Sequence, residues 1–249
     1  MYNPFSLEGK TILVVGASSG IGRATAIECS KMGANLILSS RNDEKLRSVA
    51  EMLEGDGHQV IPADITNEQD LNNLVDTITR IDGLVLSSGR GTVFPIPFCS
   101  REKFDYIFNL NFFALCELTR LIYKKKKINS GGSIVFISSV GGIYNFAIGN
   151  SMYGCSKAAL NSFMCSCALE FSARKIRVNS VNPAMVHTPL IESGEISAEQ
   201  LKIDEQKYPL KRYGEPNDIS HGIVYLLSDA SSWVTGHSLV IDGGICLTN

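Results

Sequence analysis

The stretch Thr11-Ile12-Leu13-Val14-Val15-Gly16-Ala17-Ser18-Ser19-Gly20-Ile21-Gly22 decides how this chain folds. An apolar run leads directly into three glycines, and an amphipathic stretch over Gly20–Met32 follows. The pattern predicts a strand over Thr11–Val15, a tight turn and then a helix. Glycines let the backbone approach a pyrophosphate closely, and the amino end of the helix offers N–H donors. We therefore predict a dinucleotide-binding turn, although a purely structural turn favours the same glycines.

The rest of the chain repeats this alternation of short apolar runs and helical stretches. Further strands are predicted over Asn35–Ser39, Gln59–Pro62, Gly83–Ser87, Ser133–Ser138, Arg177–Val181 and Ser238–Ile241, and further helices over Asp43–Leu53, Glu68–Arg80, Arg101–Lys126, Met152–Phe171 and Pro216–Leu227. Continuously apolar strands that alternate with helices indicate a parallel sheet covered on both faces. No linker-like break and no internal repeat divides the chain. We predict one domain over residues 1–249, an α/β three-layer sandwich with a doubly wound, Rossmann-like parallel sheet.

Composition narrows the classes of partner and location. The 249 residues carry 23 Lys and Arg against 25 Asp and Glu, so the net charge of −2 gives no reason to expect nucleic acid as a partner. The seven cysteines are odd in number and scattered, which is typical of reduced core residues in a cytoplasmic protein. No apolar run is long enough to span a bilayer, so no membrane association is expected. The four histidines form no metal-ligand pattern, and we predict no metal.

Several further motifs occur in chain order after the glycine turn. They are Ala63-Asp64-Ile65, Asn111, Ser139, Tyr153-x-x-x-Lys157, Asn182–Thr188, Pro209–Pro216, Thr235-Gly236 and Asp242-Gly243-Gly244. Together they resemble the short-chain dehydrogenase/reductase family over nearly the whole chain. Within that family the general similarity is greatest to the 3-oxoacyl-acyl-carrier-protein reductases.

The resemblance implies a set of site residues and an assembly. The implied catalytic residues are Asn111, Ser139, Tyr153 and Lys157. The implied cofactor-binding residues are Gly16, Ser18, Ser19, Gly20, Ile21, Ser40, Arg41, Asp64, Ile65, Ser88, Gly89, Tyr153, Lys157, Pro183, Val186 and Thr188. The family is usually a homotetramer or a dimer, and the helices Arg101–Lys126 and Met152–Phe171 would pack across subunits.

Four departures from the family pattern affect the surroundings of the site. Val15 replaces a Thr, and Leu86-Ser87-Ser88-Gly89 replaces Asn-Asn-Ala-Gly, so local repacking of the sheet is expected. Ala184 replaces the Gly of a Pro-Gly pair, which requires a backbone conformation that an L-residue tolerates. The segment from Ser139 to Tyr153 is one residue longer than usual. No catalytic group is lost.

The chemistry of the Tyr and Lys pair follows from their spacing. Four positions apart on a helix, Tyr153 and Lys157 lie on one face. A free Tyr has a pKa of about 10, too high for a base at neutral pH, and a nearby ammonium would lower it. Lys157 can also bond the nicotinamide ribose, and Ser139 can hold the substrate oxygen. By resemblance, Asn111 holds a water that connects Lys157 to solvent. Alone, the motif is more typical of a surface Tyr and a solvated Lys, and the catalytic interpretation depends on the other motifs.

The second strand ends at Ser39-Ser40-Arg41-Asn42, which bears on cofactor choice. An NAD-dependent enzyme places an acidic residue at this strand end to bind the ribose 2′-hydroxyl. Ser40 occupies that position, and the guanidinium of Arg41 can grip a 2′-phosphate. Asp43 lies nearby but is expected to begin the next helix. We predict NADP(H) rather than NAD(H), with a solvated loop Arg as the alternative.

The expected reaction interconverts a ketone and a secondary alcohol, and a 3-oxoacyl thioester on an acidic carrier protein is one candidate substrate. Lys124–Lys127 and Arg174-Lys175 would then form a basic docking rim, unless these residues only cap helix ends.

The segment Ile191–Ile203, expected to cover the pocket, has no pattern that decides for sugars or steroids. Sugar, polyol or steroid dehydrogenases are the alternative, as is a catalytically silent dinucleotide sensor. His187 either faces the pocket or lies on a solvated loop.

Overall fold

Seven strands pair in parallel in the computed structural model, which describes residues 2–189 and 198–248. They are β1 (Thr11–Val15), β2 (Asn35–Ser39), β3 (Gln59–Val60), β4 (Ile81–Leu86), β5 (Ile128–Ile137), β6 (Arg177–Pro183) and β7 (Ser238–Ile241). Their order in the sheet is β3-β2-β1-β4-β5-β6-β7. The chain therefore starts in the middle and winds outward in both directions, which confirms the predicted Rossmann-like sheet.

Helices cover both faces of the sheet. They are α1 (Gly20–Lys31), α2 (Asp43–Ala50), α3 (Glu68–Thr77), α4 (Arg101–Phe108), α5 (Ala114–Lys124), α6 (Ser151–Phe171), α7 (Ala198–Glu205) and α8 (Pro216–Leu227). Side-chain caps begin several of them: Asn42 accepts from the Lys45 N–H, and Asn67 from the Gln69 and Asp70 N–H groups. Helix α7 was not predicted. The segment expected to cover the pocket, Ile191–Ile203, lies partly outside the described residues.

The helix predicted over Arg101–Lys126 is interrupted. A π-helical segment, Asn109–Phe113, separates α4 from α5, and α5 ends at Lys124. Such wide turns insert one extra residue into a helix and are frequent at functional sites. The candidate residue Asn111 lies inside this segment and is fully buried.

Alternating side chains of the central strands fill two separate cores. Leu13, Leu84 and Phe136 pack on the face covered by α3, α5 and α6. Val14 and Val135 are the sequence neighbours of Leu13 and Phe136, so they pack on the opposite face of the sheet, which is covered by α1, α2 and α8. This is the arrangement expected of a sheet buried on both sides, and it makes the sheet a rigid support for whatever its edge carries.

The strand order has a switch point at β1 and β4, because β2 and β3 lie on one side of β1 and β4 to β7 lie on the other. Such a switch point opens a crevice at the carboxyl ends of β1 and β4. There the Gly16 N–H donates to the carbonyl of Ser39 at 2.8 Å, and the Ser87 N–H donates to that of Val15 at 2.9 Å. The loops that follow β1, β4, β5 and β6 meet at this edge. Within residues 2–189 and 198–248, no helix is long and apolar enough to cross a membrane.

Candidate active site

The glycine turn after β1 forms a cradle in which side chains would not fit. Gly16 has a φ of +85°, and a Cβ added there would lie 2.8 Å from the Ser88 nitrogen. A Cβ at Gly22 would collide with the Gly16 carbonyl. Ser19, which precedes α1, makes no side-chain cap, so the first N–H groups of the helix face the crevice uncapped. These features fit a pyrophosphate group at the amino end of α1.

Ser139, Tyr153 and Lys157 come together at the carboxyl end of β5. Ser139 directly follows the strand region, and its Oγ accepts from the Gly141 N–H at 3.0 Å. Lys157 is 4% exposed, and its Nζ donates to the carbonyl of Ile137 at 2.8 Å. The same Nζ lies 5.8 Å from the centre of the Tyr153 ring. The predicted placement of the Tyr and Lys on one face of a helix therefore gives a compact cluster.

Burial governs the protonation of this cluster in the free protein. Burial lowers the pKa of Lys157 to about 8. Burial also raises the pKa of Tyr153, while the nearby Ser139 hydroxyl acts in the opposite direction. The expectation that Lys157 would hold the Tyr153 pKa below its usual value is therefore wrong for the chain by itself. At neutral pH Tyr153 is a phenol, a form that can donate a proton.

Asn111 braces the cluster from behind. Its Oδ1 accepts from the Arg90 N–H, and its Nδ2 donates to the Arg90 carbonyl, both at 2.9 Å. The same Nδ2 donates to Ser156 Oγ at 3.2 Å, and that hydroxyl donates to the carbonyl of Tyr153 at 2.7 Å. A water held by Asn111 stays a prediction, since these bonds are made to protein groups. Ser156 is not among the residues predicted from the sequence. Its only sequence signal is its position three residues after Tyr153.

The departures around Gly89 and Ala184 leave the site intact. A Cβ at Gly89 would lie 3.4 Å from Lys157 Nζ, so this glycine leaves room for the ammonium. Ala184 does not adopt a positive φ, in agreement with the expectation for an L-residue. The bonds of Asn111 to Arg90 fix the strand end that lacks the family's amide side chains.

The segment that follows β6 lies against the glycine turn. Pro183 ends the strand, and the Thr188 methyl would lie 3.1 Å from a Cβ at Gly20. Val186, between them, is buried and pairs with Gly214 in an isolated bridge. The crevice is therefore bounded on one side by the glycine turn and on the other by the segment from Pro183 to Thr188, which is predicted to contact the cofactor.

His187 is half-buried and is held by two neighbours. Its Nε2 is 3.0 Å from Glu205 Oε1, and its ring packs 5.5 Å from that of Tyr213. This pairing fastens the segment to α7. No three His, Cys, Asp or Glu side chains group as metal ligands in the part of the chain that the structure describes.

Positive charge gathers beside the ends of β2 and β3. Arg41 is exposed and makes no hydrogen bond within the described residues. Burial raises the pKa of Asp64, but bonds from Thr66 and the charges of Arg41 and Arg90 outweigh this, and the net shift is downward. The buried hydroxyls of Ser39 and Ser40 lack partners among the described residues. Unpaired hydroxyl donors and a free guanidinium fit an anionic group.

Known proteins resemble this chain in sequence and fold over almost its full length. A family model described as Enoyl-(Acyl carrier protein) reductase matches residues 16–246. A solved short-chain dehydrogenase/reductase from Brucella melitensis superimposes with a TM-score of 0.90 at 30% identity, covering 98% of this chain and 99% of that one. The chain belongs to the short-chain dehydrogenase/reductase family. It is an NAD(P)-dependent oxidoreductase that acts on CH–OH or C=O groups.

Named relatives of this short-chain dehydrogenase/reductase differ in substrate. A 3-oxoacyl-(acyl-carrier-protein) reductase of Rickettsia felis is 33% identical, covering 97% of this chain and 98% of the relative. A tropinone reductase homolog of Arabidopsis thaliana is also 33% identical, covering 96% and 91%. A solved structure from Beutenbergia cavernae, named for an NAD(P)-dependent gluconate 5-dehydrogenase and holding NADP, is 27% identical with a TM-score of 0.88, covering 98% and 100%.

The two basic clusters of this short-chain dehydrogenase/reductase do not border its own site. Lys124–Lys127 lead into β5 and Arg174-Lys175 lead into β6, so both lie at the amino ends of strands. Ser139 lies beyond the carboxyl end of β5, at the opposite edge of the sheet. Lys125 pairs with Asp76 at 2.7 Å, and Arg174 donates to the Ile128 carbonyl at 2.6 Å. The prediction of a basic rim at the mouth of this chain's own site is wrong.

Cysteine exposure also differs in part from the sequence prediction. All seven cysteines are free, and Cys29 and Cys167 are buried as expected. Cys155 and Cys165 are exposed on α6 because they lie on the face of that helix opposite the sheet.

Proposed function

We propose that this short-chain dehydrogenase/reductase uses NADP(H) to interconvert a ketone and a secondary alcohol, with Tyr153 as the proton donor and acceptor. The observation that carries the proposal is the cluster of Ser139, Tyr153 and Lys157 beside a cradle suited to a pyrophosphate. The resemblance to 3-oxoacyl-(acyl-carrier-protein) reductases favours a 3-oxoacyl thioester as substrate. The gluconate 5-dehydrogenase relative supports a polyol as the alternative.

Each residue has a distinct task in this mechanism. A bound nicotinamide supplies and accepts the hydride. Ser139 Oγ holds the carbonyl oxygen of the substrate, and Tyr153 donates its phenolic proton to that oxygen. Lys157, with a pKa of about 8, stabilises the phenolate that remains and can exchange a proton near neutral pH. Asn111 and Ser156 hold the backbone of the site in place through Arg90 and Tyr153.

The pH dependence should differ between the two directions. Burial raises the Tyr153 pKa, so the phenol persists through neutral pH and reduction should be flat there. Oxidation needs the phenolate, so its kcat/KM should rise steadily toward alkaline pH, while reduction declines only there. Initial rates in both directions across the pH range check this. A rise of the reduction rate with alkalinity would contradict the assignment of Tyr153 as the acid.

Cofactor preference should depend on Arg41. A guanidinium bound to a 2′-phosphate contributes about 1.5–3 kcal/mol, so Arg41→Ala should weaken NADPH binding roughly 10- to 100-fold. NADH affinity should not change, because NADH lacks that phosphate. Isothermal titration with both cofactors measures this, and Arg80→Ala, an exposed arginine at the amino end of β4, is the matched control. Tighter binding of NADH than NADPH by the unaltered protein would overturn the preference.

The substrate class is tested by a panel of carbonyl compounds and alcohols. NADPH consumption is measured with 3-oxoacyl thioesters and steroid ketones, and NADP⁺ reduction with sugars and polyols. Turnover of thioesters above the other classes supports the proposal. Turnover of polyols alone gives the alternative, and cofactor binding without any turnover would indicate a silent dinucleotide sensor.

A further inference from the structure

Two loops rise from the reactive edge of the sheet. The first, residues 90–98, begins beside Gly89, whose Cα faces Lys157 Nζ. The second, residues 140–150, runs from Ser139 toward Tyr153. Each loop is thus tied at one end to a residue of the catalytic cluster.

The two loops are joined to one another. The Phe94 N–H donates to the carbonyl of Gly149 at 2.8 Å. A Cβ at Gly149 would lie 2.8 Å from a methyl of Val93, so the backbones approach as closely as a glycine permits. Below this contact, Cys99 Sγ lies 3.5 Å from Ser151 Oγ at the start of α6. They therefore form one continuous wall.

Beyond Arg90, with which the first loop begins, this wall has no charged residue of its own, and the one ammonium placed on it is that of Lys103 over the Phe94 ring at 4.0 Å within the described residues. Residues 91–100 and 140–152 contain no Asp, Glu, Lys, Arg or His. The large side chains that the wall exposes are Val93, Phe94, Ile96, Phe98, Tyr144, Phe146 and Ile148. The exposed fraction reaches 75% at Ile96 and 94% at Ile148. A contiguous apolar patch of this kind marks a binding surface.

A cavity of about 470 Å³ opens between the loops and the catalytic helix. Pro95 and Ile96 line it from the first loop, Phe146 and Ile148 from the second, and Cys155 from α6. It also reaches Gly142 and Gly154, which pack against each other next to the catalytic Tyr. The volume lies in the range of small-molecule sites, and among the residues that the structure describes no charged side chain lines it.

We infer that the part of the substrate that does not react is an apolar chain or ring that occupies this cavity. The inference rests on the proposed function and narrows it to apolar ketones, such as 3-oxoacyl thioesters with an extended acyl chain. Sugars and polyols need several hydrogen-bond partners for their hydroxyls, and the wall offers chiefly Asn145, Asn150 and Ser151. The cavity is lined by Ser151 and Gly154 of α6, on either side of Tyr153 in the sequence, and this nearness to the catalytic Tyr favours substrate over a second copy of the chain as its occupant.

Acyl-chain length provides the test. N-acetylcysteamine thioesters of 3-oxobutanoate, 3-oxohexanoate and 3-oxooctanoate are reduced with NADPH, and kcat/KM is measured for each. Burial of one methylene corresponds to about fourfold, so kcat/KM should rise at least about tenfold from the shortest to the longest chain. Binding of 3-hydroxyoctanoyl-N-acetylcysteamine in the presence of NADP⁺, measured by isothermal titration, should be correspondingly tighter than that of the 3-hydroxybutanoyl compound.

Two wall variants identify where the chain binds. Ile96→Ser and Ile148→Ser replace side chains that are largely exposed, so neither should impair folding. Both should lose most of the gain with chain length, measured as the ratio of kcat/KM for the 3-oxooctanoyl compound to kcat/KM for the 3-oxobutanoyl compound. Met52→Ser, an exposed apolar residue beyond the far end of α2, is the matched control and should keep the gain.

The outcomes separate this inference from the proposed function. If the 3-oxobutanoyl compound is reduced but chain length has no effect on rate or binding, the proposed function stands and the inference fails. If polyols are oxidised and no ketone thioester is reduced, the inference fails and the proposed function stands with its polyol alternative. If no carbonyl compound or alcohol is turned over, the proposed function fails as well. If the wall variants leave the chain-length gain intact and instead change the oligomeric state in size-exclusion chromatography, the wall is an interface between copies and the inference is overturned.

Discussion

Tyr153→Phe should lower kcat by about 10²–10⁴-fold, the usual contribution of a general acid or base, and leave NADPH binding nearly unchanged. The change removes one hydroxyl and keeps the ring, which lies partly buried on α6 against the Lys157 ammonium. Without that hydroxyl, the carbonyl oxygen has no proton donor among the groups that we place on it. Steady-state kinetics with a ketone substrate and isothermal titration with NADPH measure the two effects separately.

The matched control for this experiment is Tyr144→Phe. Tyr144 is an exposed tyrosine in the neighbouring loop, and loss of its hydroxyl should leave kcat essentially intact. If Tyr153→Phe kept more than about a tenth of the unaltered rate, Tyr153 would not be the acid, since the expected contribution is at least 10²-fold.

Lys157→Met should lower both turnover and cofactor affinity. The ammonium lies beside Tyr153 and next to Gly89 in the predicted cofactor crevice, so its removal affects the phenolate and the bound ribose together. We expect a fall in kcat of about 10²-fold or more and a weaker NADPH affinity in the same variant. Lys124→Met, an exposed lysine at the end of α5, is the control and should change neither quantity.

Stability measurements distinguish this chemical role from a failure to fold. Burial lowers the Lys157 pKa from 10.5 to about 8, so burying the charged form costs free energy. That cost is fully present below about pH 8 and disappears as the pH rises through 10.5, because there the unfolded chain also loses the proton. Lys157→Met should therefore be no less stable at pH 7 than the unaltered protein. A variant that is inactive and also unfolded at pH 7 would contradict this account of the lysine.

The order of elements could be predicted because β1, β2 and β4 are largely apolar and helices such as α2, α3, α5 and α8 have one polar and one apolar face. Helix α8 and strand β7 begin and end where the pattern placed them. The π segment around Asn111 could not be predicted, since one extra residue in a helical turn barely alters the spacing of apolar side chains. Helix α7 was missed for a related reason, because its residues show little separation of polar and apolar faces.

The reactive groups could be named from their spacing, but their protonation could not. Spacing places Tyr153 and Lys157 on one helical face, and only the packed structure shows that Lys157 is buried and Tyr153 partly buried. Burial reversed the expected direction of the Tyr153 pKa. The wrong prediction that Lys124–Lys127 border the site has a different cause. Residues that directly precede a parallel strand lie at its amino end, so the topology alone placed them away from Ser139.

Tracing the transferred hydride with deuterium is the most direct test of the proposed reaction. NADPH carrying deuterium at the transferable position of the nicotinamide is incubated with the protein and a 3-oxoacyl thioester, and the product is analysed by mass spectrometry and NMR. We expect one deuterium at the new carbinol carbon for each NADPH consumed by the unaltered protein, and labelled product that forms about 10²–10⁴-fold more slowly with Tyr153→Phe. Consumption of NADPH without deuterium at that carbon, or equal labelling by both proteins at equal rates, would contradict the mechanism.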